Sequence, residues 1–220
     1  MVEIVIIGQN EGEHIEAMYK SLHEYPYARF WVLDRCTDDS ENRLIELGER
    51  YIKTPGNLMG RQTGFARNCG LSHCNNESDV LFLDGDRYPV SGTLSLLEKQ
   101  GTDISLLLLE RDFRDVFTEK YRSIYGGVNN LFYSPGIFLK RKAINKTLEF
   151  QNGELFSTEM QDDWGIEDTY LGDVCYHLRL TADFYKECRL HGEFSRKNLE
   201  SLNVLEKRFR KRELLNVRWG

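Results

Sequence analysis

Polar side chains follow three short apolar runs of the sequence, at the point where each run ends. Asp84 and Asp86 come directly after VLFL, Asp34 comes after FWVL, and Gln9 and Glu11 come after VEIVIIG. Two carboxylates at the end of a strand can hold a hard divalent cation, which in turn neutralises a diphosphate. An aspartate in such a place can accept a hydrogen bond from a nucleobase or a ribose hydroxyl. The residue types therefore point to binding of a nucleotide and a metal ion.

Each of these motifs also fits an ordinary structural role. Asp84 and Asp86 alone would suit a surface turn, and Asp38, which follows Asp34 in the chain, would cap the next helix. The three runs together indicate a ligand site more strongly than any one of them alone. The carboxyl ends of neighbouring parallel strands meet at one edge of a sheet, and open α/β sheets bind ligands there.

The elements that must position these residues alternate regularly in the first ninety residues. Buried strands are predicted at 2–8, 30–34, 51–54 and 80–84, and helices at 13–23, from 38 onward and at 61–74. This alternation is typical of a parallel sheet covered by helices, and it predicts an α/β fold. In the second half, helices are predicted at 91–99, 140–146, 167–180 and 196–215, and strands at 104–110, 136–139 and 184–185, while 112–130 stays ambiguous.

The composition is that of a folded globular protein. The chain has 220 residues, of which 40% are hydrophobic and 29% are charged. Its longest uncharged apolar run, 104–109, is too short for a membrane span, and its N-terminus lacks the pattern of a signal peptide. Five scattered cysteines form no Cys-x-x-Cys pair, which favours reduced thiols over a disulfide framework or a zinc site. We expect a cytoplasmic protein without a transmembrane segment.

Charge is distributed unevenly along the chain. The net charge is −6, but residues 196–220 contain eight basic and three acidic residues, so this tail carries +5 and the remainder −11. An acidic body does not suit a general polyanion binder. The basic terminal helix would either contact an anionic acceptor, lipid head groups or an acidic partner, or be a solvated helix face.

Four ordered motifs give a specific resemblance. VIIGQNEGEHI, VLDRCTDDS, GFARNCG and LFLDGD, all within residues 2–89, resemble a family 2 glycosyltransferase with the GT-A fold. SPGIFLKR at 134–141 is similar to the acceptor-side strand of that family, and WGIED at 164–168 is similar to the W-G-x-E-D element of family 2 and related galactosyltransferases. The resemblance implies one GT-A domain over residues 1–220, with a mostly parallel central sheet flanked by helices. Its nucleotide-binding half would be 1–90, its acceptor and catalytic half 91–195, and its basic C-terminal helix 196–220.

The resemblance also implies a role for each matching residue. Seven residues would form the nucleotide-sugar site: Gln9, Glu11, Asp34, Arg67, Asp84, Trp164 and Gly165. Asp86 would ligate Mn²⁺ or Mg²⁺ directly, Asp84 would contact the ribose or a metal-bound water, and His191 would be a further metal ligand. Asp168 would remove the proton from the acceptor hydroxyl, with Glu167 as the second candidate for this base.

Structural roles compete with several of these assignments. Arg67 would also suit a buried ion pair, Trp164 a place in the hydrophobic core, and His191 the protein surface. Glu167 and Asp168 would also stabilise the start of a helix by interaction with its dipole. The sequence departs from the family where paired acids would follow the second strand, because Asp34 is followed by Arg35.

The implied reaction is metal-dependent transfer of a hexosyl or pentosyl group from a nucleoside diphosphate sugar, in the first instance a UDP-sugar, to an acceptor hydroxyl with inversion. The expected acceptor is a glycan or a lipid-linked saccharide, with protein and modified nucleic acid as alternatives. A nucleotidyltransferase acting on sugar phosphates is the first rival, although GQNEGE is acidic where such an enzyme has a basic glycine-rich loop. The second rival is a non-catalytic module that binds nucleotide sugars.

Overall fold

Seven β-strands form one mixed sheet in a computed structural model that describes residues 1–56, 63–112, 135–158 and 166–194. The strands are β1 (Val2–Gly8), β2 (Ala28–Leu33), β3 (Tyr51–Lys53), β4 (Asp79–Asp84), β5 (Ile104–Asp112), β6 (Gly136–Leu139) and β7 (Ala182–Phe194). Their order in the sheet is β3-β2-β1-β4-β6-β5-β7. Every pairing is parallel except the two made by β6, which runs antiparallel to β4 and β5. Six strands therefore end at the same edge of the sheet, which we call the carboxyl edge.

Helices connect and cover these strands. They are α1 (Gly12–Leu22), α2 (Ser40–Glu46), α3 (Thr63–Ser72), a 3₁₀ helix (Thr93–Lys99), α4 (Arg141–Phe150) and α5 (Ile166–His177). Helix α3 packs on β1 and β2. A Cβ atom at Gly70 would clash with the side chains of Val5 and Val32, so this glycine allows α3 to lie close to the sheet.

The hydrophobic core contains both faces of the central strands. Val5 and Ile6 are neighbours in β1 and point to opposite faces, yet neither is exposed, and the same is true of Val80 and Leu81 in β4. Continuous apolar runs such as VEIVIIG are stable here because structure covers the sheet on both sides. The predicted first four strands and the alternation with helices are thus confirmed.

The second half differs from the prediction at several element boundaries, including α5, which ends at His177 instead of 180, and β5, which runs to Asp112 instead of 110. The helix predicted at 91–99 is a 3₁₀ helix, and α4 continues to Phe150, four residues beyond the predicted end at 146. Strand β7 spans 13 residues, whereas the sequence predicted only 184–185. Polar residues interrupt the apolar pattern of this strand, which hides it in the sequence, and its pairing with β5 contains register shifts. His191, predicted to follow the strand, lies within it.

Some sequence predictions fall outside the described residues. These are the segment 113–130 of the ambiguous region, the terminal helix at 196–215, and the residues Trp164 and Gly165. In the part of the chain that is described, no helix is both long and apolar enough to cross a membrane.

Candidate functional site

The carboxyl edge brings together the polar residues that follow β1, β2 and β4. Backbone hydrogen bonds connect the three strand ends. The Asp34 amide, after β2, donates to the Gly8 carbonyl of β1 over 2.8 Å, and the Gly85 amide, after β4, donates to the Ile7 carbonyl of β1 over 2.7 Å. Gln9 is exposed just beyond β1. The convergence predicted from the sequence is therefore present in the fold, since three strand ends meet within one hydrogen-bonded unit.

The loops after β1 and β2 are fastened to each other by side chains. The Asn10 side-chain oxygen accepts hydrogen bonds from the amides of Thr37 at 2.7 Å and Asp38 at 3.3 Å. Asp38 in turn accepts from the Gly12 amide at 2.9 Å and from the Ser40 amide at 3.1 Å. Asp38 was predicted only to cap α2, and its bond to Gly12 shows that it also holds the start of α1. These bonds fix the backbone that would face a nucleoside.

Asp34 is buried at the end of β2, with 5% of its surface exposed. Arg35 donates to both of its oxygens, Nε to Oδ1 at 2.8 Å and Nη2 to Oδ2 at 2.7 Å. The Thr54 hydroxyl donates to Oδ1 at 2.8 Å. The aspartate predicted to contact a nucleobase thus already accepts three hydrogen bonds from the protein.

Asp86 and Glu11 place two further carboxylates at the same edge, and both are half-buried. Burial raises the pKa of Glu11 above its ordinary value, and the negative charge of Asp86 raises it further. Asp86 pairs with Arg87, whose Nη2 lies 3.3 Å from Asp86 Oδ2. The two carboxylates repel each other across the ends of β1 and β4, so their surroundings favour the arrival of positive charge.

Arg67 is the centre of a buried ion-pair network beneath this edge. The residue is 3% exposed, and its Nη2 donates to Asp84 Oδ1 over 3.1 Å. Its Nη1 donates to Glu167 Oε1 over 3.1 Å and also to Asp168 Oδ1. Of the two roles that the sequence left open for Arg67, the structure shows the buried ion pair. Arg67 also joins Asp84 to Glu167 and Asp168, a grouping that the sequence did not predict.

This network is acidic overall, since three carboxylates share one guanidinium. Burial raises the pKa of Asp84 to about 6, and the charges of Asp86 and Glu167 raise it as well, while Arg67 opposes the shift. Burial would lower the pKa of Arg67, but the three carboxylates raise it above its ordinary value, so the guanidinium stays charged.

Asn68 and Gly64 of α3 position the segment that precedes α5. Asn68 Oδ1 accepts from the amides of Leu155 at 3.2 Å and Phe156 at 3.0 Å, and its Nδ2 donates to the Phe156 carbonyl at 2.7 Å. A Cβ atom at Gly64 would lie 2.9 Å from the Ser157 carbonyl oxygen, so only glycine permits this approach. Sequence reasoning missed both roles, although both residues belong to the quoted motif GFARNCG.

Phe156 links this segment to the ion-pair network. Its ring packs edge-on against Phe82 of β4 with centroids 5.1 Å apart, and the Arg67 guanidinium lies 5.1 Å from the ring centroid. The aromatic face adds a cation–π contact to the hydrogen bonds of the guanidinium.

His191 contacts Tyr88 in the loop after β4 and Glu110 of β5. Its amide donates to the Tyr88 carbonyl over 2.9 Å, and its ring lies 4.7 Å from the Tyr88 ring, centroid to centroid. Nδ1 is 2.9 Å from Glu110 Oε2. Within the described ranges, no three His, Cys, Asp or Glu residues are grouped so that they could hold a metal ion by themselves.

Comparison with known proteins rests on structure. No protein-family model matches the chain, and no curated protein matches its sequence. Solved structures of glucosyl-3-phosphoglycerate synthase from Mycobacterium tuberculosis do match. The complex with Mn²⁺ and UDP-glucose gives a TM-score of 0.65 at 16% identity, covering 96% of this chain and 78% of that one. The complex with phosphoglyceric acid gives 0.64 at 17% identity, covering 93% and 76%.

The chain has the GT-A fold. This confirms the predicted fold class, including the mostly parallel sheet. Open α/β sheets bind their ligands at the carboxyl ends of the parallel strands, which in this protein form the carboxyl edge described above. Because the identity is low, the match establishes the architecture and leaves the reaction to be argued from the residues at that edge.

Proposed function

We propose that this protein is a glycosyltransferase that moves a sugar from a nucleoside diphosphate sugar to an acceptor hydroxyl. One observation carries the proposal: the carboxylates of Asp34, Asp84 and Asp86 lie at one edge of a GT-A sheet. The matching synthase is described in complex with Mn²⁺ and UDP-glucose, which supports a UDP-sugar as the donor. We include membership of glycosyltransferase family 2 in this proposal, on the motifs quoted from the sequence.

The nucleoside would lie against the ends of β1 and β2. Gln9 is exposed there, and Asp34 is held in place by Arg35 and Thr54. The loops are fixed by the bonds between Asn10 and Asp38 before any ligand arrives. Because these groups are already ordered, binding would cost little conformational entropy.

The residues after β4 fit a divalent cation shared with the substrate. Their oxygens are the hard donors that Mn²⁺ and Mg²⁺ accept, and such ions in nucleotide sites are held by one or two carboxylates together with phosphate oxygens. Burial raises the pKa of Glu11, and the nearby negative charge of Asp86 raises it further, which fits a place for positive charge. Asp86 would be the direct ligand and Asp84 would support it. His191 would ligate through Nε2, because its Nδ1 lies against Glu110 Oε2. When bound, the cation would offset charge on the leaving diphosphate.

Asp168 is the proposed general base, and Glu167 is the alternative. The ion pair with Arg67 favours the charged form of a carboxylate, which is the form that accepts a proton. Both acids are buried, at 1% and 6% exposure, so the acceptor hydroxyl must enter beside Arg67 to reach them. Attack by that oxygen from the face opposite the diphosphate would invert the anomeric carbon. Trp164 and Gly165, just before these acids, would shape the sugar pocket.

The proposed acceptor is a glycan or a lipid-linked saccharide. The matching synthase is described with phosphoglyceric acid and with glycerol 3-phosphate, so small phosphorylated hydroxy compounds belong in the same screen.

The test is a screen of nucleotide sugars with MnCl₂, read by thermal shift and by release of nucleoside diphosphate with and without acceptors. Release of UDP from a UDP-sugar is expected. Release of pyrophosphate from a nucleoside triphosphate and a sugar phosphate would instead identify a nucleotidyltransferase. Binding without any turnover across the donor and acceptor panel would identify a non-catalytic module.

A further inference from the structure

The Asp34 carboxylate has little accepting capacity left for a ligand. An ionised carboxylate offers about four lone-pair positions. The Arg35 fork takes one on each oxygen, at 2.8 Å and 2.7 Å, and the Thr54 hydroxyl takes a second on Oδ1 at 2.8 Å. Among the residues that the structure describes, these are the donors to Asp34, so one position remains, on Oδ2.

Arg35 reaches this carboxylate because of its backbone. Successive side chains of an extended strand point to opposite faces, so neighbouring residues do not normally form a two-pronged pair. Arg35 has a φ of 54°, in the left-handed region that is uncommon for residues other than glycine. This conformation turns the chain at the end of β2, and the guanidinium comes back onto Asp34. A strained backbone at the edge of a ligand site is a feature that the surrounding contacts must maintain.

The single accepting position left on the Asp34 carboxylate affects which nucleobase it can bind. Guanine presents two adjacent N–H donors, at N1 and at the exocyclic N2, which a free carboxylate binds with both oxygens. Uracil presents a single N–H, at N3, between two carbonyl oxygens. A carboxylate with one accepting position can satisfy uracil but leaves one guanine donor unpaired, and an unpaired buried donor weakens binding.

We propose that Arg35 selects the nucleobase of the donor by occupying Asp34, and that it thereby excludes guanine nucleotides. This inference rests on the proposed function, because it takes the end of β2 as the base-binding place. Arg35 acts through Asp34 and is a positioning residue. Replacing Arg35 should therefore change the ratio of the affinities for UDP and GDP, whereas replacing a purely structural residue would weaken both affinities alike.

The experiment measures binding of UDP and GDP to the full chain with MnCl₂ by calorimetry. Wild-type protein is expected to bind UDP at least about tenfold more tightly than GDP, since one well-placed base contact is worth about 1–3 kcal/mol. Arg35→Gly removes the guanidinium and suits the positive φ, and its melting temperature measures what loss of the ion pair with Asp34 costs the fold. In this variant the GDP-to-UDP affinity ratio is expected to rise about tenfold. Arg35→Lys keeps the charge without the fork and is expected to lie between the two.

Arg43→Ala is the matched control. Arg43 also pairs with an aspartate, with its Nε 2.7 Å from Asp39 Oδ2, but it is exposed on α2 and should leave the ratio unchanged. The inference is overturned if wild-type protein binds GDP as tightly as UDP, or if Arg35→Gly shifts both affinities equally. Either result leaves the proposed transferase intact. If neither diphosphate binds, the base-binding site and the proposed function both fail.

Discussion

Arg67 and Asp168 form a buried ion pair that joins α3 to the first turn of α5. The same guanidinium also binds Glu167 and Asp84, so one side chain connects the end of β4 and α3 to the start of α5.

Replacing Arg67 should destabilise the whole domain. Arg67→Met would leave three carboxylates without their cation, and breaking a buried ion pair from one side typically costs about 3–5 kcal/mol. The free energy of unfolding in urea measures this loss. Arg67→Lys keeps the charge but cannot donate in a fork, so it should lie between the wild type and Arg67→Met. A loss below about 1 kcal/mol in Arg67→Met would show that the network contributes little to stability.

Asp86→Ala should abolish Mn²⁺-dependent binding of UDP while the protein stays folded, because Asp86 is half-buried in a short turn. Calorimetry with and without MnCl₂ measures binding, and the melting temperature monitors the fold. Glu77→Ala, at an exposed carboxylate that precedes β4 and so lies at the other end of that strand, is the control. Full activity in Asp86→Ala, or undiminished turnover in EDTA, would rule out the proposed metal role.

Asp168→Asn should reduce turnover by about 10²- to 10⁴-fold with donor affinity nearly unchanged, because it removes a basic oxygen and keeps the shape. Glu167→Gln makes the matching change at the neighbouring ligand of Arg67, so a comparison of the two separates basicity from loss of the ion pair. Steady-state kinetics with UDP-release detection measure both. If only Glu167→Gln loses turnover, the base is Glu167.

Asp103 should make stability depend on pH. Burial acts to raise its pKa, but hydrogen bonds from the Thr181 amide and hydroxyl, each 2.9 Å long, hold the pKa below its ordinary value. A carboxyl whose folded pKa is lowered stabilises the protein above its unfolded pKa of about 3.9, and this stabilisation is lost as the pH falls through the folded value.

Asp103→Asn should therefore unfold at lower urea concentration than wild type at pH 7, by about 1 kcal/mol, and the difference should shrink below about pH 4. Urea titrations at several pH values measure this. A difference that stays constant down to pH 3 would mean that the charge of Asp103 is not involved. Asp79→Asn, at another carboxylate that accepts a backbone amide, serves for comparison.

The first half of the fold was predictable because its signals are local. Strands β1 and β4 are continuous apolar runs, and the sequence itself marks the end of β2 by Asp34 and the end of β4 by Asp84. The parallel edge follows from the alternation of strand and helix, and with it the grouping of Asp34, Asp84 and Asp86.

The partners of these residues were harder to predict, because they come from distant parts of the chain. Glu167 meets Arg67 across 100 positions, and no pattern near either residue indicates it. The three hydrogen bonds of Asn68 to residues 155 and 156 go to backbone groups, which are present in every sequence and give no signal for prediction. Strand β7 was recognised for only two of its 13 residues, because its edge position relaxes the apolar pattern.

The reversed strand β6 has a consequence for synthesis of the protein. It covers the side of β4 that faces away from β1, and it begins only at residue 136. Until the ribosome has produced residue 136, β4, which leads into the turn with Asp84 and Asp86, is an apolar strand without a neighbour on that side of the sheet. Such edges pair with other chains. A fragment that stops at residue 90 would keep this edge permanently, so residues 1–90 should aggregate when they are expressed alone.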